Sequence, residues 1–310
     1  MNRSFAFAAL LPVAAMAAPF AYVPNEGSAS VSVIDVATGT VTSTIKTGEK
    51  PRGIAVSLDG ARVFVSEQAG NNLVAYDAKT GKELARAAVG KSPEAAYLSP
   101  DGKWVAVAIE DDDRVALVDA STMKVARRLA TKGRNPEHAV WSPDGKFLFV
   151  SGENTDAVDV IDVSSGAVAR QVVVGERPRG IGFLPDGSRA YAAAENADRV
   201  GVIDVAKAEV LASIPAAPRS NGIAVHPDGK HVFVSSGGKG TVQVLDTASN
   251  RFVAEIDACK RPWNMAITPD GSRLYVACGR SDAVAVIDAR AFAKVGEIAV
   301  GKLPWGVAIR

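Results

Sequence analysis

Seven residues of the chain share one place in a recurring pattern and differ in chemistry: Trp305, Arg52, Glu94, Glu137, Arg179, Asn221 and Trp263, in cyclic order. Each follows the proline, or the residue standing for it, that opens an apolar run, and the runs recur every 42 or 43 residues. Two indoles can stack on a flat ligand or grip a partner, and the Arg-Glu-Glu-Arg series opposite them can hold polar groups. His138 beside Glu137 and Asn264 beside Trp263 extend the set. A competing reading has the charges pairing into a plug over a channel and the tryptophans packing against a seam, since loop rims vary freely where nothing constrains them.

A second series stands nine residues before a recurring aspartate: Glu26, Gln68, Glu110, Glu153, Glu195, Gly237 and Gly279. Acid gathers on three successive units, reinforced by Asp111, Asp112, Asp113, Asp156 and Asp198. Glu110, Asp112, Glu153 and Glu195 are therefore candidates for an acidic face that steers a cationic partner such as a small cytochrome. Solvated loop acids that start strands are the alternative. No metal site is expected: the three histidines, His138, His226 and His231, fall on different faces, and a Ca²⁺ at Glu94, Glu110 and Glu137 has no loop motif behind it. No catalytic residue is assigned. Cys259 and Cys278 end strands on the same face and are candidates for a disulfide, with two separate thiols as the alternative.

The elements that carry these residues follow from the repeat. A hydrophobic-x-Asp triplet ends at Asp35, Asp77, Asp119, Asp162, Asp204, Asp246 and Asp288, and an Asp-Gly pair recurs with its glycine at Gly60, Gly102, Gly145, Gly187, Gly229 and Gly271. What recurs in every unit reads as scaffold, so these aspartates are turn caps. Within residues 51–90 four short apolar runs alternate with tight turns, the pattern of a four-stranded antiparallel unit. Such a unit at this period predicts an all-β propeller of seven blades, with strands A to D from the axis outward. The N-terminal segment offers strands B, C and D (20–23, 31–34, 41–45), and the C-terminus offers only an A strand, Trp305–Ile309. Together they make a composite blade that closes the ring.

Met1-Asn2-Arg3 followed by an apolar run to Met16 reads as a secretory signal peptide, 1–17, cut after Ala17. This leaves one propeller domain, 18–310, in the periplasm or outside the cell. Removing Arg3 from 35 basic residues leaves 34, equal to the 34 acidic ones, so nothing suggests nucleic acid as a partner. Apart from the leader, no segment is apolar and long enough to insert in a membrane. A monomer is expected.

The units resemble the YVTN family of β-propeller repeats, as in Pro178-Arg-Gly-Ile-Gly-Phe-Leu-Pro-Asp-Gly187 and Ala157-Val-Asp-Val-Ile-Asp162. The chain departs from that pattern at Leu58, at Ala192 to Ala194, and at Pro218 to Asn221, where the connection looks displaced by two residues. Its ends, Ala21–Glu26 and Gly301–Arg310, are similar to those of secreted propellers associated with PQQ-dependent alcohol catabolism. That resemblance implies a place beside quinoprotein dehydrogenases and cytochromes c; it implies PQQ association without a tightly bound cofactor, and it supplies no catalytic residues. The expected function is a non-enzymatic accessory that engages a small molecule or redox partner at the channel mouth. A lactonase-like hydrolase and an envelope interaction platform are the alternatives.

Overall fold

The computed structural model describes residues 19–310, so the signal-peptide reading lies outside the described residues. Among the described residues strands follow one another at every apolar run, broken only by short turns and two single-turn 3₁₀ segments. They form seven four-stranded antiparallel sheets in a closed ring. Blade 1 is composite, with Phe20–Asn25, Ser30–Asp35 and Thr40–Lys46 as B, C and D, and the C-terminal Ala308–Ile309 as A. Blades 2 to 7 span 51–88, 93–130, 136–173, 178–215, 220–257 and 262–299.

Strands B and C are buried on both faces because each blade packs against its two neighbours, which explains their nearly continuous apolar runs. The third residue of strand B is aromatic in six blades: Tyr22, Phe64, Phe149, Tyr191, Phe233 and Tyr275. Blade 3 has Ala106 there, and Trp141 from strand A of blade 4 packs in the same cluster, its indole N–H donating to Tyr97 O at 3.0 Å. Ala192 to Ala194 keep their place in strand B of blade 5 and are fully buried.

The marker aspartates end strand C and accept turn N–H groups: Asp77 Oδ1 takes Lys79 N (3.1 Å) and Thr80 N (2.7 Å), and Asp288 Oδ1 takes those of Arg290 and Ala291. Strand A carries a bulge in blades 2 to 7, with register lost for two residues after its first position. In blades 2, 4 and 6 a buried strand B serine takes up the N–H left out of the ladder: Ser66 from Gly53, Ser151 from His138 and Ser235 from Gly222. In blade 1 that serine is Pro24, and strand A is interrupted further, to a bridge between Asn25 and Pro304 and then Ala308–Ile309. The displacement expected at Pro218 to Asn221 does not occur. Ser220 pairs with Ser236 as Pro51 pairs with Glu67, and Pro218 belongs to the loop before it.

Candidate functional site

The mouth is built by a sevenfold backbone motif. The residue before strand A's opening position is left-handed in every unit, with φ of 53° at Lys50, 56° at Ser92, 55° at Asn135, 59° at Arg177, 58° at Arg219, 58° at Arg261 and 53° at Leu303. Side chains disfavour that region. Its recurrence is held by hydrogen bonds: the carbonyls of these residues accept the N–H groups of Gln68, Glu110, Glu153, Glu195, Gly237, Gly279 and Glu26 in the B–C turns of their own blades. Their own N–H groups reach the preceding blade, as in Ser92 to Asn71 Oδ1 (3.1 Å), Asn135 to Asp113 Oδ1 (2.8 Å) and Arg219 to Asp198 Oδ1 (2.7 Å). The two series read from the sequence thus meet on one face. Asp113 and Asp198 are scaffold within it.

Charge on this face is layered. Glu195 has 2% side-chain exposure and lies beneath Arg179 Nε (2.8 Å), Arg261 Nη2 (3.0 Å) and Arg177 Nε (3.2 Å), with Arg219 Nη1 at 3.9 Å. Burial opposes its ionisation, yet Arg179, Arg177 and Arg261 hold its carboxyl below the usual range. Glu153 pairs with Arg177, and Glu137 pairs with Arg179. Burial, the first cause, raises Glu153, with Arg177 opposing and Glu110 and Glu195 adding to the rise. Arg177 and Arg219, at 37% and 58% exposure, stand above these carboxylates. The acidic face read from Glu110, Asp112, Glu153 and Glu195 is therefore corrected at Glu153 and Glu195. Glu153 and Glu195 are covered by guanidinium, Asp112 accepts Lys91 N at 3.0 Å, and Glu110 accepts Ser92 Oγ at 2.8 Å. Solvent meets arginine on blades 5 to 7.

Glu94 is fully buried, takes Arg52 Nη1 at 2.5 Å and Gln68 Nε2 at 2.8 Å, and is pushed up to about 7 by burial, which outweighs Arg52. Arg52 also reaches Glu26 Oε2 at 3.2 Å. Burial works against the Arg52 charge, but Glu94 and Glu26 raise its pKa above the ordinary arginine value.

Trp305 does not pack against the seam. It crosses the mouth to stack on His138 of blade 4, with ring centroids 5.9 Å apart and planes 19° from parallel. His138 Nδ1 lies 2.7 Å from Tyr97 OH, and burial lowers its pKa to about 4, so the ring is neutral at neutral pH. Asn264 Nδ2 donates to Trp305 O at 3.4 Å. Trp263 lies under Arg261, whose guanidinium carbon is 5.9 Å from the indole centroid. Glycine makes this possible: a Cβ at Gly279 would stand 3.0 Å from Trp263 Cε3, and one at Gly237 would stand 3.1 Å from Arg261 Cδ.

Eight of the nine rim candidates, Arg52, Glu137, His138, Arg179, Asn221, Trp263, Asn264 and Trp305, together with Arg261, line one cavity of about 100 Å³. Glu94 lies behind Arg52. Trp305 and Asn264 also line a second cavity of about 100 Å³, with Ala96, Ile181, Ile223 and Met265 on its walls. A larger cavity, about 730 Å³, is a flank groove between blades 4 and 5 at the A–B and C–D turns, on the opposite face; none of the candidates lines it. Cys259 and Cys278 are joined, which ties the loop after strand D of blade 6 to the end of strand B of blade 7. The sequence reading missed Arg177, Arg219 and Arg261. Three successive arginines at one repeat position, one residue before strand A opens, were the signal.

Fold and mouth together define a class: a single-chain seven-bladed propeller whose innermost strands present a polar cavity at one end of the channel. The chain belongs to the YNCE-like beta-propeller family, which it matches over residues 3–141 and 111–268. No curated protein matches it. Among solved structures it is similar to Kuenenia stuttgartiensis hydrazine synthase, at 24% identity over 86% of this chain and 91% of that one, with a TM-score of 0.80. A functionally unknown protein from Desulfotomaculum acetoxidans is 18% identical over 94% and 98%, with a TM-score of 0.83. A putative 6-phosphogluconolactonase from Bacteroides uniformis is 21% identical over 94% and 100%, with a TM-score of 0.79. At these identities the likeness is one of fold.

Proposed function

We propose that the protein is a non-enzymatic binding propeller, exported to the periplasm as an accessory to PQQ-dependent alcohol oxidation, and that it engages its ligand or redox partner at the channel mouth. The observation that carries this reading is the convergence of guanidinium, amide and indole groups from five blades on one cavity. These are recognition groups. Glu137 is held by Arg179, and His138 is stacked and buried, so neither is placed to act as a base. A cavity of about 100 Å³ is well below the roughly 300–1,000 Å³ of drug-sized ligand sites, so it takes a small group or a partner's side chain rather than a whole quinone.

Trp263 gives the cleanest test, because it is partly exposed while Trp305 is buried in the mouth. Surface plasmon resonance with a purified PQQ-dependent alcohol dehydrogenase and with cytochrome c should show saturable binding to one of them. Trp263→Ala should weaken that binding at least about tenfold, in the range of an interface hot spot, with an unchanged melting point. Absence of binding to both, or binding indifferent to Trp263→Ala, would sink the proposal.

A further inference from the structure

The electrostatics of the mouth narrow what it takes, an inference that rests on the mouth being a binding site. Three of the nine residues lining the cavity are arginines, Arg52, Arg179 and Arg261, and its only lining carboxylate, Glu137, is already paired with Arg179. A guanidinium carries five N–H donors. Among the described residues Arg261 gives only Nη2 to a carboxylate, leaving Nε and Nη1 unengaged, and Arg179 Nη2 has no partner. The Asn221 amide lines the same cavity and makes no side-chain hydrogen bond there. Arg261 itself is disfavoured as a cation, first by burial and then by Arg219 and Arg280, with Glu195 insufficient to restore it. An incoming negative group relieves that repulsion, whereas an incoming cation adds to it.

Size points the same way. About 100 Å³ holds about three waters at their liquid share of roughly 30 Å³ each, which leaves room for an acetate-sized head group and not for an extended ligand. A planar carboxylate also matches the guanidinium fork, which favours two parallel hydrogen bonds. We infer that the mouth is a receptor for a single carboxylate, held by Arg261 and Arg179 with the Asn221 amide beside them and the Trp263 ring as a wall. Either a free organic acid or the C-terminal carboxylate of a partner chain presents this group.

Tryptophan fluorescence of the full chain, titrated at constant ionic strength, tests it with three probes: acetate, a short peptide with a free or amidated C-terminus, and choline as a cation. Saturable quenching by acetate or by the free-acid peptide is expected, weakened at least about tenfold by Arg261→Gln, as fits loss of a hydrogen bond to a charged group. Arg62→Gln, whose side chain serves turn carbonyls on the other face, should bind as the parent does. If Arg261→Gln melts early, the more exposed Arg219→Gln replaces it, with a smaller loss expected. A peptide at least tenfold tighter than acetate, and dependent on its free C-terminus, assigns the carboxylate to a partner chain; equal affinities assign it to a free acid. Quenching by choline in place of the acids would overturn the carboxylate assignment and leave the mouth a binding site. No response to any probe, with Trp263→Ala also silent against the protein partners, would remove both.

Discussion

Glu94 and His138 pull the protein's pH response in opposite directions, and both do so because burial opposes their charge. Glu94 rises from 4.5 to about 7 against the pull of Arg52. Between those values the folded chain holds a proton that the unfolded chain has lost, so this contribution is full below pH 4.5 and is lost as pH rises through 7. His138 falls from 6.5 to about 4, so its contribution is full above pH 6.5 and is lost as pH drops toward 4. Near pH 5 to 6.5 the two offset each other, and the parent's melting temperature should be nearly flat. Glu94→Gln removes one arm and should leave a midpoint that climbs with pH across that window by a few degrees. A Glu94→Gln profile as flat as the parent's would show that Glu94 ionises normally. The neighbourhood of Glu94 and Arg52 was legible, since equivalent positions of successive repeats must be adjacent on a ring. Depth was not: nothing in the residue types says that Glu195 lies under its arginines rather than beside them, and on blades 5 to 7 that fact puts guanidinium where acid was expected.

At the scale of the blade, the period made the elements readable, and the exceptions to the period are where packing has compensated. Strand boundaries follow the turn chemistry, because the strand C aspartates cap their turns alike and Asp-Gly does the same in blades 2 to 7. The long-range compensation in blade 3 was not readable. Ala106 stands where other blades place an aromatic, and Trp141 reaches in from the next blade, buried to 6% exposure. Trp141→Ala should leave a cavity that the ladder geometry cannot collapse, and destabilise the chain by about 3–5 kcal/mol by chemical denaturation. Trp141→Phe should recover most of that loss. A loss below about 1 kcal/mol for the alanine variant would mean that blades 3 and 4 are not packed through this residue. The same logic explains why the crossing of Trp305 to His138 escaped the sequence: a repeat reports neighbours around the ring, and this contact runs across it.

For the whole molecule, the question is whether the ring is held by its closure or only by the packing of successive blades. Stability of a repeat array is close to a sum of unit and nearest-neighbour terms, so six complete blades with three strands of the seventh retain most of those terms when the ring is open. The closure here is short: Ala21 pairs with Ile309 and Tyr22 with Ala308, flanked by Phe20 N to Arg310 O at 2.7 Å and Trp305 N to Pro24 O at 2.9 Å. It nevertheless covers an otherwise unpaired strand of buried residues, Ala21, Tyr22 and Val23, and an exposed edge of that kind invites pairing with another chain. Deleting residues 303–310 should therefore lower the melting temperature by several degrees, bring self-association in sedimentation, and lift amide protection first across residues 20–46. Because the deletion also removes Trp305, Trp305→Ala in the full chain separates the two effects. That variant should lower the midpoint through the lost stack on His138 while keeping protection in blade 1. Equal loss of protection in both variants would assign the closure to the indole that spans the mouth, and an unchanged midpoint on deletion would show that six complete blades hold the ring without it.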